Sequence, residues 1–581
     1  MFLWIFSFTV SLLLLIIGAA GFFLSGRVIR AGKKINAFYW LAIAVFLSAV
    51  VMFLPIYGDI FLEEPLRGLK TFILSIHNTV RLFVVDSDFD IILDHTGMLP
   101  VAFCTAYRVL CAVLFLGCPL LTFSLVLTFF QRVLSHWALR FRKVDRYYIF
   151  SELNEEALAL AKSLEGKQNE RYLSIFCEVG EETDYEIKNR VKELGGVCLE
   201  EDITSIKLRR DVKKSYFFIA AEDDKNLDQA IAVCEQEKTH QDVDAYVFAE
   251  SAKSELVLNA VDKGNVRVRR IAVPRALIYR ALYEQGSDLF AGARDEGDKK
   301  RISAVVVGLG AYGWEMAKAL VWACQMYGYE FELHCFDEDV RQEHRFNVEC
   351  PELISCSKGE NPADPISKYD LHIYAGEKNY SAAWFAHMEK IAPTFIFIDQ
   401  GKEGDNLQMA IDLRTYFAGK GLSPKIQTIA ENSDEIALLG KAKNFKGQEY
   451  NISFIGDTKS CYSMEVILNS EVEQAGLIRH LAWGKEEEFW NYSYNYTSSI
   501  ASAIHKKLRI ACGVPGADKA PADRTEEEKD IIRRQEHDRW NAFMRTEGYS
   551  YAPVRNDLAK KHTLLVPFDD LPPKEQKKDD D

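Results

Sequence analysis

The stretch from Ser303 to Val321, SAVVVGLGAYGWEMAKALV, decides the fold. An apolar strand runs into Gly308-Leu309-Gly310-Ala311-Tyr312-Gly313 and then into a helix. A GxGxxG string alone says little, but strand before and helix after give it meaning. The glycines permit a tight turn, close approach of a phosphate, and close packing of helix on strand. The next strand, FELHCFDED, ends in Asp337, Glu338 and Asp339, and an acid there is placed to accept from ribose hydroxyls. Gly308 to Asp337 is longer than usual, a length the intervening helix and turn absorb. LHIYA, TFIFID and IQTIAEN follow as further strands, giving an α/β unit over about 300–435. Gly308, Gly310, Gly313 and Asp337 are its candidate site, with NAD(H) or another nucleotide as ligand. Such turns also persist in Rossmann folds that have lost their ligand, and both readings stand. No Tyr-x-x-x-Lys, nucleophile elbow or metal-ligand cluster accompanies the turn, so neither catalysis nor a metal is expected.

Upstream, the alternation repeats without the glycines. RYYIF, the helix SELNEEALALAKSL with acids in its first turn, YLSIFCEV, VKELGGVCLE, SYFFIAA and DAYVFAE predict a parallel sheet covered on both faces over 144–285. Ser151-Glu152-Leu153-Asn154-Glu155 stands at the turn after the first strand. Without glycine the backbone cannot approach a pyrophosphate, and Glu152 and Glu155 repel one. This copy is therefore read as degenerate and structural, with ARDEGDKKR as a linker to the second unit. Both units resemble the TrkA-N or RCK class, the Rossmann-type sensors of potassium transporters and channels. The resemblance rests on strand order and on patches such as FFIAAEDDKNLDQAIAV. It implies a homo-oligomer, since such units act as dimers or larger assemblies.

Residues 1–143 differ in kind. They read as three transmembrane helices, spanning about 3–25, 36–58 and 105–130, each near the roughly 20 apolar residues needed to cross a bilayer. A secretory signal would begin with a basic region and have a shorter apolar core. Arg27, Arg30, Lys33 and Lys34 follow the first span, and Arg132, Arg140, Arg142, Lys143 and Arg146 follow the third. The loop between spans two and three carries Asp59, Glu63, Glu64, Asp86, Asp88, Asp90 and Asp94. The positive-inside rule then puts the N-terminus outside and everything after Phe130 in the cytoplasm.

Within that loop, Leu69, Phe72, Ile73, Ile76, Val80 and Phe83 form one helical face, and Lys70, His77 and Arg81 lie off it. A helix in the membrane interface and a re-entrant pore element are both open readings, although no TVGYG-like filter is present. Arg108 is expected at the outer boundary of the third span. Cys104, Cys111 and Cys118 recur every seven residues and suggest a packing seam between copies.

The net charge of −14 argues against nucleic-acid binding, which needs clustered Lys and Arg. Twelve cysteines without a C-x-x-C pair point to reduced core thiols in a cytoplasm.

Residues 436–520 open with YNISFIGDTKSCYSMEVILN, one more strand and helix, and become a helical, aromatic connecting region, HLAWGKEEEFWNYSYNYTSSIASAIHKKL. The last segment, 521–581, carries Glu536-His537, Trp540, Gly548-Tyr549, Tyr551, Lys561-His562, Leu565-Val566-Pro567-Phe568 and Leu571-Pro572. In that order and spacing it resembles the RyR domain, the repeat named for the ryanodine receptor and also found in bacteria. It departs in Tyr549, where Trp is common, in Ala552, where Gly is frequent, and in lacking a Pro after His562. A Trp face, a carboxylate, guanidinium groups and an amide suit a nucleobase or phosphorylated ligand. The candidate ligand residues are Glu536, His537, Arg539, Trp540, Asn541, Arg545, Tyr549 and His562. Trp540 and Tyr549 are equally readable as core, and no third group is spaced to join the two histidines around a metal.

Three N-terminal transmembrane helices, two Rossmann-like parallel-sheet units and a small, mostly helical RyR-like module together suggest a membrane-anchored effector or channel-like protein of the bacterial inner membrane. Its partners would be the lipid bilayer, further copies of itself, and a nucleotide or nucleotide-derived second messenger, with anti-phage defence as a setting. The alternatives are a potassium-transport regulator gated by NAD(H) or ATP, and a membrane-tethered NAD(P)-dependent enzyme.

Overall fold

The computed structural model describes residues 1–581 apart from 26–36, 87–88, 166–169, 181–182, 365–369, 431–440, 445, 457–460, 468–469 and 579–581. The basic connection Arg27–Lys34 and Asp88 lie outside the described residues. The chain forms two compact units, Met1–Phe141 and Arg142–Asp581.

In the first unit, helices Phe2–Ser25, Ala37–Ile60 and Val101–Phe141 contain the apolar stretches Phe2–Gly21, Trp40–Ile60 and Val101–Ser124, each long and apolar enough to cross a membrane. Arg108 donates to Thr96 Oγ1 (2.7 Å) and to the Leu93 carbonyl (2.9 Å), which ties it to the short helix Asp90–Thr96. Cys111 and Cys118 are buried beside Trp4, Val45 and Tyr107 in the unit's own core. The expected seam between copies is thus taken by the chain's own helices, and Val109, Val113, Leu116 and Leu120 face outward instead.

The loop helix, Arg67–Phe83, is turned the opposite way from a water-soluble amphipathic helix. Thr71, Ser75, Asn78 and Thr79 are buried, with Asn78 donating to the Tyr57 hydroxyl, while Leu69, Phe72, Ile73 and Val80 are exposed. Apolar side chains outward and polar ones inward is the arrangement a hydrocarbon solvent favours.

In the second unit, strands β1 (Arg146–Phe150), β2 (Tyr172–Phe176), β3 (Val197–Cys198), β4 (Lys213–Phe218), β5 (Val243–Phe248) and β6 (Arg267–Ile271) make a parallel sheet in the order β3-β2-β1-β4-β5-β6. Helices on both faces bury these strands, and Phe176, Phe150, Phe217 and Tyr246 stack across four of them, centroids 4.8–4.9 Å apart. The second sheet has the same winding. Strands β7 (Arg294–Glu296), β8 (Lys299–Val307), β9 (Tyr329–Asp337), β10 (Asp370–Ala375), β11 (Phe395–Ile398), β12 (Lys425–Ile429) and β13 (Ile452–Ile455) give the order β10-β9-β8-β11-β12-β13, with β7 antiparallel to β8.

Two boundaries move. The polar stretch ARDEGDKKR is a hairpin, β7 turning through Gly297 into β8, and not a linker. The strand at 452–455 closes the second sheet against β12, so it belongs to that unit and not to the connecting region.

The helices Glu471–Leu481, Ser493–Ala511 and Glu526–Thr546 do not form a detached module. Ile500, Ile504, Leu508 and Phe543 share one core with Leu277 and Leu282 of helix Val273–Gln285 and with Leu320 and Trp322 of helix Ala311–Ala323. A tail of two short parallel strands, β14 (Ser550–Tyr551) and β15 (Lys561–His562), completes the chain's RyR-like segment.

Candidate functional site

The switch point of the second sheet lies between β8 and β11, where the strand order reverses direction, the usual place for a ligand in an open α/β sheet. The glycine turn sits there. Gly308 has φ +88°, and a Cβ on it would lie 1.8 Å from the Asp399 carbonyl oxygen. At Gly313 a Cβ would lie 1.9 Å from the Gly308 carbonyl, so this glycine permits the helix to close on the strand. Asp337 ends β9 with Oδ2 accepting from the Leu309 amide (2.7 Å) and Oδ1 from the Asp339 amide (2.7 Å). Each oxygen keeps a lone pair for a ribose hydroxyl. The structure therefore brings Gly308, Gly310, Gly313 and Asp337 to one turn.

Asp399 is the residue sequence reading passed over. Its Oδ2 accepts from the amides of Tyr312 (3.1 Å) and Gly313 (2.9 Å), and its Oδ1 from that of Gly401 (3.3 Å). Two of the helix N-terminal amides that would cradle a phosphate, those of Tyr312 and Gly313, are thus held by the chain's own carboxylate. For NAD(H), the group expected at this turn, the diol acceptor fits and the pyrophosphate seat does not.

Asn406 holds Asp399's neighbour in place. It is buried, accepts from the Gln400 amide (2.6 Å) and donates to the Ile429 carbonyl (3.1 Å). The first sheet has the same clamp, with Asn226 accepting from the Ala220 amide (2.8 Å) and donating to the Phe248 carbonyl (2.8 Å). The signal was present in the strings FFIAAEDDKNL and FIFIDQGKEGDNL, which match when aligned on that asparagine.

The turn of the first unit is closed by different means. Asn154 caps helix Glu155–Ser163 through the Ala157 amide (2.8 Å), and Lys225 bridges Glu152 and Glu178 (2.6 Å to the latter).

The single cleft expected from the eight RyR-like residues is divided among three places. Glu536 faces helix Ser493–Ala511, accepting from Ser502 (2.8 Å) and from Arg539 (2.9 and 3.1 Å), with Arg509 3.6 Å away. Burial raises its pKa, but Arg539, Arg509 and Arg479 outweigh that and hold the carboxyl well below the usual range. Arg545 is buried on the other side, 2.9 Å from Asp364 and 3.4 Å from Glu352. His537 Nε2 donates to the Val566 carbonyl (2.8 Å), as does the Asn541 amide (3.0 Å), fixing the tail on its helix. Trp540, half-buried, donates to the Tyr494 hydroxyl (3.2 Å) and meets His562 edge to face at 5.1 Å; Tyr549 lies 6.4 Å from Tyr494. His562 accepts from the Leu564 amide, and burial lowers its pKa. Trp540, His537 (stacked on Trp540 at 5.9 Å), His562 and, through Tyr494, Tyr549 come together around aromatic surface; Glu536, Arg539 and Arg545 are members of internal ion pairs.

One ionic cluster joins the parts. Arg275, next to the first sheet, contacts Glu315 of the helix after the glycine turn (2.8 Å) and Glu547 at the end of the RyR-like helix (3.1 Å), and Lys318 also reaches Glu547 (2.9 Å). Burial raises the Glu547 pKa, but Arg275 and Lys318 overcome that and hold it at about 2.

Neither a family model nor a curated protein matches the chain. Solved structures similar to it include "GsuK channel bound to NAD", 12% identical with a TM-score of 0.34, covering 73% of this chain and 82% of that one. The crystal structure of a GsuK mutant is 15% identical with a TM-score of 0.33, covering 73% of this chain and 95% of that one.

Proposed function

We propose that the chain is a membrane-anchored, ligand-responsive protein whose cytoplasmic α/β unit senses a nucleoside-containing small molecule. The observation that carries this is the Gly308–Gly313 turn at the β8/β11 switch point with the Asp337 carboxylate beside it. The ionic cluster Arg275–Glu315–Glu547–Lys318 supplies the coupling: Glu315 and Lys318 stand on the helix that starts at the turn, so a shift of that helix is felt by the first sheet and by the RyR-like helix together. A ligand that favours one arrangement shifts the population toward it, and the apolar helices respond. With three such apolar helices among the described residues of each chain, passage of ions requires several copies, their contacts made along outward faces such as that of Val109, Val113, Leu116 and Leu120. Anti-phage defence, through disturbance of the inner membrane on activation, is the setting the RyR-like resemblance implies.

The test is ion and dye flux from vesicles holding the purified protein, with a panel of adenine nucleosides and nucleotides outside. Flux that depends on one of them, and is weakened by Gly310→Asp, supports the reading. Flux indifferent to the whole panel refutes it.

A further inference from the structure

The Asp399 carboxylate is built into the glycine turn. Its amide donates to the Val307 carbonyl (2.8 Å), which registers it on β8, and the next residue is held twice, at its amide by Asn406 and through Gln400 Nε2 to Val307 (3.2 Å). Asp399 is 5% exposed, and its three amide donors, Tyr312, Gly313 and Gly401, are the kind of group a phosphate would use. In the first sheet the matching position, one residue before the Asn226-clamped Ala220, is Ile219, whose amide donates to Ser151. The acid is thus particular to the turn that has kept its glycines.

The surroundings reinforce the sign. Asp337 ends β9 at the same mouth, Glu338 and Asp339 follow it, and the Glu338 carboxylate accepts from the Asn379 amide (3.0 Å). Arg341 pairs with Asp339 (2.8 Å), and Arg345 with Glu349 (3.0 Å), the Leu309 carbonyl (3.4 Å) and the Trp314 ring (3.8 Å). A pyrophosphate arriving here would find the Tyr312 and Gly313 amides already used and a buried carboxylate at contact distance, where like charges repel strongly.

We propose that Asp399 is a resident anion that sets the ligand class of this crevice, which accepts a neutral or cationic nucleoside through its diol at Asp337 and rejects pyrophosphate dinucleotides. This rests on the reading of the turn as a nucleoside site.

The test is equilibrium dialysis of the full-length protein in nanodiscs against labelled adenosine and labelled NAD, with Asp399→Asn, Asp399→Ala and Asp337→Ala alongside. Asn removes the charge and keeps the size; Ala also vacates the seat, and if Ala fails to fold, Asn decides. The expected result is adenosine bound at least tenfold more tightly than NAD by the wild type. NAD affinity should then rise at least tenfold in the Asp399 variants, with adenosine within about twofold, while Asp337→Ala weakens both. NAD bound as tightly as adenosine by the wild type, or no gain in either Asp399 variant, overturns the proposal and leaves the nucleoside site standing. If no protein binds either ligand, the nucleoside site itself is refuted and the proposal falls with it.

Discussion

Replacing Glu547 by glutamine removes one of two carboxylates from a site where Arg275 and Lys318 balance Glu315 and Glu547. The side chains are 10–23% exposed, so the charges are poorly hydrated and depend on each other. Two routes give the size of the effect. Removing one partner of a buried ion pair costs about 3–5 kcal/mol, because the remaining charge is left uncompensated. Independently, the native pKa of about 2 against the ordinary 4.5 corresponds to roughly 3 kcal/mol at neutral pH.

The pH dependence has a definite sign. A depressed native pKa stabilises the fold above about 4.5, and that stabilisation fades as the pH falls toward about 2. The deficit of the Glu547→Gln variant, measured by denaturant unfolding of the detergent-solubilised protein, should therefore be about 3 kcal/mol at pH 7 and less than half of that at pH 3. Adding Lys318→Met, which removes the stranded cation, should restore a good part of the loss. A Glu547→Gln deficit within about 0.5 kcal/mol at pH 7, or one that stays constant between pH 7 and 3, would refute the reasoning.

Gly313→Ala places a Cβ 1.9 Å from a carbonyl oxygen, so we expect roughly 3 kcal/mol of destabilisation, seen as a lowered melting temperature. Asn406→Ala and Asn226→Ala each strand a buried backbone amide and carbonyl, at about 1–3 kcal/mol apiece by denaturant unfolding, with the Asn406 change also loosening Asp399. His505 Nε2 donates to the Gln325 carbonyl (2.8 Å) as a neutral ring, and burial, then Arg509, lower its pKa to about 3. The unfolded chain takes up that proton near pH 6.5, so stability should fall as the pH drops from 6.5 toward about 3, and His505→Gln should flatten the slope in a pH series of melting curves.

Patterns carried by residues close in the chain were legible in advance. The three apolar stretches, the alternation of strand and helix, and the glycine turn with its downstream acid are set by spacing and side-chain type alone. Strand β6, RVRRI, was not among them, because three arginines in five residues do not look like an interior strand. Its charge is neutralised from far away. Arg269 is buried against Glu473 and lies over the Trp490 ring (4.6 Å), and Arg267 pairs with Asp244 (2.7 Å). The loop helix shows the same limit, since its apolar stripe was visible and its outward orientation depended on Tyr57 meeting Asn78.

The candidate sites divide along the same line. Gly308, Gly310, Gly313 and Asp337 belong to one strand–turn–helix–strand segment whose geometry is local, so their convergence could be read from the chain alone. What occupies the Tyr312 and Gly313 amides, and where the RyR-like charges go, depended on contacts between segments far apart in the chain. Asp399 reaches the turn from the end of another strand; Glu536 finds Ser502 and Arg509, and Arg545 finds Glu352 and Asp364, all distant in the chain, while Arg539 pairs with Glu536 on its own helix. A helix N-terminus attracts any anion, and a buried guanidinium any carboxylate, so the chain's own acids can occupy places that a motif alone would assign to a ligand.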